Sequence, residues 1–163
     1  MARSRREFTP EYKDEAVKLV VTRPSAGVTL DDANQLIQHA CLAAAELEIP
    51  MAFVVVDAAG HLVSSARMDG GRWFGFDIAL GKAYTAAAFA EPTHIRAQKA
   101  SALPQFTSAL TAMSSGKYIP QDGGFPLIRD GMLFGGIGAS GGIGEEDDAV
   151  LLPALAAIGY DHQ

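Results

Sequence analysis

The sequence predicts an α+β fold of three layers, α/β/α, with an antiparallel sheet between helices. Two observations predict it. Apolar residues recur at helical spacing in some stretches and form short β-branched runs in others. The β-branched runs come in pairs joined by tight-turn signals, and hairpin connections make neighbouring strands antiparallel. Read along the chain, the order is helix, hairpin, helices, hairpin, helix, with no alternating βαβ units.

The chain has 163 residues, enough for one domain with an adequate core. Residues 1–27 read as an N-terminal helical extension and linker, and 28–163 as the main domain. In the extension Thr9 is the expected N-cap and Pro10 the first helical position. Pro24 and Gly27 mark the linker. In the main domain Thr29 caps a helix carrying Ala33, Leu36, Ile37, Ala40, Ala44 and Leu47 on one side, and Pro50 marks its stop. MAFVVVD (51–57) is a buried strand. Ala58-Ala59-Gly60 turns it into HLVSSARM (61–68). FDIALGKAYTAAAF (76–89) is an alanine-rich helix ended by Pro92. Residues 94–113 read as one or two weaker helices. YIPQDGGFPLI holds an irregular loop and a strand, Arg129-Asp130-Gly131 is a hairpin turn, MLFGGIGAS is the last strand, and EEDDAVLLPALAAI the closing helix.

Composition limits function. Hydrophobic residues make up 48% and charged residues 20%, ordinary for a soluble globular protein. No apolar run approaches the roughly 18 to 20 residues that span a bilayer, so no membrane partner is expected. The basic N-terminus is followed by no apolar segment of a secretory signal. One cysteine, Cys41, cannot close an internal disulfide. These readings favour a cytoplasmic location. The net charge of −6 is uneven: residues 1–23 hold six Lys/Arg and four Asp/Glu, and the rest seven against fifteen. An acidic body argues against general nucleic-acid binding.

Gly136, Gly138 and Gly141 spell G-x-G-x-x-G, the surface pattern of a dinucleotide turn. That site needs a following helix and then a second parallel strand with an acidic residue. Only 22 residues follow Gly141, and Glu145, Glu146, Asp147 and Asp148 would repel a pyrophosphate at the helix start. NAD and FAD are therefore not expected. Glycines in a strand also permit close approach of a ligand, a helix or a neighbouring subunit.

RREFTPEYKDEAVKLV resembles the first helix of the helix-turn-helix domain of insertion-sequence transposases, over about the first 21 residues. No recognition helix follows, so DNA binding is not carried over. VTLDDANQLI, VVVDAAGHLVSSARMDG, IALGKAYTAAAF, GGFPLIRDGMLFGGIGASGG and EEDDAV, in that order, resemble the GlcG/HbpS family of haem-binding proteins. The same family includes the C-terminal domain of a corrinoid adenosyltransferase. The resemblance covers residues 28–159. It implies a profilin-like fold with a five-stranded antiparallel sheet, assembly into homo-oligomers, and binding of haem or a small molecule. For some members it also implies redox sensing or haem degradation.

The candidate site follows from that resemblance and from residue chemistry. Lys82, in GKAYTA, is a cation among small residues and a candidate partner for a haem propionate or substrate carboxylate. Thr85 is a candidate hydrogen-bond donor to the same group. Arg67 is either an anion binder or a structural partner of Asp57 or Asp69. Asp57 is a candidate ligand residue, or a cap for its own turn. Gly138, Ser140 and Gly141 place backbone near a ligand, with amides at Gly141 and Gly142 available to an anion. Haem iron takes His, Cys, Met or Tyr as axial donor, and His39 is the candidate. His61, His94 and His162 read as structural or solvated. Cys41 reads as a core residue, and Trp73 and Phe74 as a pocket wall or subunit contact. Glu145–Asp148 read as helix capping, or alternatively as a divalent-cation site. The leading function is haem or small-anion binding. The alternative is a cofactor-free lyase, isomerase or hydrolase of a small carboxylate. There Lys82 and Arg67 would be catalytic, with Lys82 as general base or electrostatic stabiliser.

Overall fold

The computed structural model describes residues 27–161. The expected N-terminal helix and His162 lie outside them. The elements are α1 (Leu30–Glu46), β1 (Ala52–Asp57), β2 (Leu62–Arg67), α2 (Gly75–Phe89), α3 (Thr93–Ala102), α4 (Pro104–Met113), β3 (Gly124–Arg129), β4 (Met132–Ser140) and α5 (Gly144–Ile158). The strands form one sheet in the order β2-β1-β4-β3, with every neighbouring pair antiparallel. The sheet has four strands, as the two hairpin signals dictate, and not the five implied by the resemblance. No helix of the described residues is long and apolar enough to cross a membrane.

Local chemistry sets the ends of these elements. The Thr29 Oγ1 accepts from the Asp32 amide at 3.0 Å and starts α1, with Asp31 and Asp32 complementing the helix dipole. Asp130 (φ 53°) and Gly131 (φ 72°) are both left-handed, as a two-residue type I′ hairpin requires. Pro104 opens α4, which separates it from α3. Pro126 lacks an amide donor and sits on the edge strand β3. Pro153 lies within α5 but on its exposed side, where water can satisfy the carbonyl left without a donor.

The strand period divides the core in two. Phe53 and Val55 of β1, with Ile137 and Ala139 of β4, face α1 and α5. Val54 and Val56 face α2, where they meet Ala79, Ala83 and Ala87. Each fully buried valine contributes about 1.5–3 kcal/mol. In register with Val54 and Val56 stand Gly138 and Gly136. The valines give this face bulk and the glycines give it a trough. A side chain on Gly138 would strike the Ala79 carbonyl oxygen, and one on Gly136 that of Ala83. The glycines of the last strand therefore admit α2 against the backbone of β4.

Gly138→Ala is expected to lose about 1–3 kcal/mol or more through overpacking. Gly27→Ala, whose added methyl meets only an ordinary contact at 3.7 Å among the described residues, is expected to stay within about 0.5 kcal/mol of wild type. Urea unfolding of the two variants checks the contrast.

Candidate functional site

The close seating of α2 sends Lys82 past the end of the sheet. Its side chain is buried and leaves the α2 layer between β4 and the segment leading into β3. The ammonium donates to Asp147 Oδ2 at 2.7 Å and to the Ala139 carbonyl at 2.9 Å. Asp147 belongs to the first turn of α5, in the opposite helical layer. Gly123 makes this crossing possible. Its φ of +97° favours glycine, and a side chain there would meet both Asp147 Cβ (2.6 Å) and Lys82 Nζ (2.9 Å).

The acidic run at the start of α5 is divided among three tasks. Glu146 Oε2 accepts from the Ile143 amide at 2.8 Å and caps the helix. Asp147 is 3% exposed, with Oδ1 accepting from the Gly142 amide at 2.9 Å and Oδ2 facing Lys82. Asp148 Oδ1 accepts from the Gly123 amide at 2.6 Å, and its Oδ2 lies 3.2 Å from His94 Nδ1. That last contact has ion-pair distance without hydrogen-bond geometry. Burial pushes the Asp147 carboxyl above the usual aspartate value, against the pull of Lys82 and the Gly142 and Gly141 amides. Burial likewise raises Asp148, with the negative charge of Asp122 adding to it, against the Gly123 amide and His94. Among the described residues no cluster of His, Cys, Asp or Glu is arranged to hold a metal ion.

A cleft of about 370 Å³ opens beside the ion pair, between the start of α2 and the start of α5. Lys82, Ser140 and Gly141 line it, as do Arg72, Phe74, Ile78 and Asp122. The other expected site residues stand elsewhere. Gly138 lies under α2. Thr85 is buried, and its hydroxyl accepts from the Ile119 amide at 2.8 Å, anchoring the segment before β3. Arg67 pairs with neither Asp57 nor Asp69 among the described residues; its Nη1 donates to the Gly71 carbonyl at 3.0 Å. Asp57 caps its turn through Oδ1, with the Ala59 and His61 amides each at 2.9 Å. His39 is on the exposed side of α1. His94 is partly buried against Asp148 rather than solvated. The Gly142 amide, read as free for an anion, donates to Asp147.

Sequence reasoning missed Asp147 as the partner of Lys82, along with Arg72 and Asp122. Lys82 and Asp147 are 65 positions apart, so no local pattern joins them. Arg72 carried a usable signal, since it precedes the exposed aromatic pair Trp73 and Phe74 in a glycine loop.

Two stability measurements check this geometry. Lys82→Met leaves a buried carboxylate unpaired and is expected to cost about 3–5 kcal/mol. Adding Asp147→Asn removes the charge but keeps an acceptor for the Gly142 amide, so the double variant is expected to recover at least half of that loss. Asp148 gives a pH signature. Because its carboxyl is raised in the fold, the unfolded chain ionises first as pH rises. Wild type therefore loses stability between the ordinary aspartate value, about 4, and the raised value. Asp148→Asn lacks that loss and is expected to gain relative stability across the window. A pH-independent difference in urea unfolding contradicts the assignment.

Comparison with known proteins places this geometry in a family. Residues 28–156 match the family described as haem degrading protein HbpS-like. The corrinoid adenosyltransferase PduO of Salmonella typhimurium is 36% identical over 140 residues, covering 84% of this chain and 40% of that protein. The PduO of Citrobacter freundii is 33% identical over 147 residues, covering 88% and 43%. The chain thus spans about two fifths of the length of these curated relatives. Among solved structures, the PduOC:heme complex is similar with a TM-score of 0.73 at 33% identity, covering 84% of this chain and 99% of that one. HbpS is similar with a TM-score of 0.73 at 26% identity, covering 82% and 92%. By its match over residues 28–156, this chain belongs to the haem degrading protein HbpS-like family.

Proposed function

We propose that this chain binds haem. The observation that carries the proposal is the 33% identity to the solved haem complex over nearly the whole of that chain. Among the described histidines, the surroundings favour one as the donor for such a ligand. Imidazole is a common axial donor for haem iron. His61 lies 3.5 Å from Asp57, and His94 lies 3.2 Å from Asp148. His39 has neither an ion pair nor a side-chain hydrogen bond among the described residues. It stands on the exposed side of α1, with Leu42 one turn on and 58% exposed. His39 is therefore assigned to the iron.

An open helix face covers one side of a macrocycle. The other side is best covered by a second copy of the chain, which is where homo-oligomer formation enters this reading. The bound group would supply redox-active iron, and the finer roles of redox sensing or haem degradation both depend on it. In this reading the propionates are not anchored by Lys82, whose ammonium donates to Asp147 and the Ala139 carbonyl. The same contacts argue against Lys82 as a general base, since both of its partners are acceptors.

Titration of the purified chain with haemin tests the proposal. Wild type is expected to give a saturable shift of the Soret band. His39→Ala is expected to lose the axial-ligand signature, while His61→Ala and His94→Ala keep it. No saturation in wild type overturns haem binding. An unchanged spectrum in His39→Ala overturns the site.

A further inference from the structure

The haem reading engages α1 and leaves the cleft between α2 and α5 without a role. Four charged residues line that cleft: Arg72, Lys82, Asp122 and Asp147. Lys82 and Asp147 neutralise each other. Arg72 and Asp122 remain. The Arg72 guanidinium and the Asp122 carboxylate have no ion pair or side-chain hydrogen bond among the described residues, and they do not pair with each other. Phe74 and Ile78 supply apolar wall, and Gln121 and Ser140 supply neutral polar groups. A site with one unpaired charge of each sign complements a ligand that is itself dipolar. The ligand's carboxylate suits the Arg72 fork. A hydroxyl or ammonium on the same ligand suits Asp122. The volume of about 370 Å³ is near the lower end for small-molecule sites, roughly 300–1,000 Å³, and so favours a short molecule.

We propose that this cleft is a second binding site, for a small carboxylic acid that also carries a hydrogen-bond donor, either hydroxyl or ammonium. Arg72 holds the carboxylate, and Asp122 selects for the donor. The rival account of Asp122 is structural. Its carboxylate lies against Gly144, where a side chain would meet Asp122 Oδ2 at 2.6 Å, and a negative charge suits the N-terminus of α5. A structural Asp122 affects stability without affecting which acid binds.

Three acids of equal carbon number separate these accounts. Propionate has hydrogen at its second carbon, lactate a hydroxyl and alanine an ammonium. Each is titrated, with both enantiomers of the chiral acids, into the full chain, and amide shifts at Ser140, Gly141 and Gly144 are followed by NMR. Lactate or alanine is expected to bind about tenfold or more tighter than propionate, the size of one hydrogen bond to a charged group. Which of the two binds tighter identifies the donor. Arg72→Ala is expected to abolish binding of all three. Asp122→Ala, which removes the acceptor, is expected to bring the favoured acid down to the affinity of propionate while the fold stays intact by circular dichroism. Equal binding of the three acids, or an unchanged preference in Asp122→Ala, overturns the proposal. So does the absence of shifts at the cleft amides with every acid at large molar excess. None of these readouts involves haemin or His39, so this inference and the haem reading can fail separately.

Discussion

The Lys82 ammonium sits where the two helical layers and the open end of the sheet meet, and its two acceptors come from different elements. Asp147 belongs to the first turn of α5, and the Ala139 carbonyl to β4. Burying an ammonium and a carboxylate together costs several kcal/mol of desolvation for each ion. The fold meets that cost only because each ion has further partners. Asp147 also receives the Gly142 amide, which fixes the turn between β4 and α5. The pair thus sets the relative placement of α2, β4 and α5 more than it adds net stability. Its contacts also neutralise the cation that residue chemistry alone would offer to a ligand.

That placement depends on small residues. Gly136 and Gly138 let α2 lie on the backbone of β4, with Ala79, Ala83 and Ala87 as its contact stripe. Only at that distance does a lysine one position away from the stripe reach around the strand end. Gly123 then leaves room for Nζ and the aspartate. The cleft beside them is a consequence of the same geometry. It lies between the starts of α2 and α5, and the loop after β2 brings Arg72 and Phe74 to it.

Much of the fold was legible in the sequence because it rests on local chemistry. Thr29 capping, the Asp130-Gly131 turn and the valine run of β1 each act within a few residues, and each appears where its pattern stands. The site was less legible because it rests on contacts distant in sequence. Lys82 was recognisable as unusual, but its partner was hidden in an acidic run that also serves as a helix cap. Arg67 and Arg72 flank the same glycine loop, and only the path of that loop turns Arg67 toward the Gly71 carbonyl and Arg72 toward the cleft. Thr85 shares a helix side with Lys82, yet its hydroxyl is held by the Ile119 amide. Two glycines of the dinucleotide-like spelling, Gly136 and Gly138, admit α2 against β4, a role that depends on what lies above the strand.

Lys82 is a buried, paired ammonium that joins the layers. Nitrogen-detected NMR of lysine ammonium groups tests this most directly. A slowly exchanging ammonium resonance is expected at neutral pH, one that vanishes in Lys82→Arg and is unmoved by haemin. A Lys82 ammonium that exchanges as fast as exposed lysines, or that shifts when haemin binds, would contradict it.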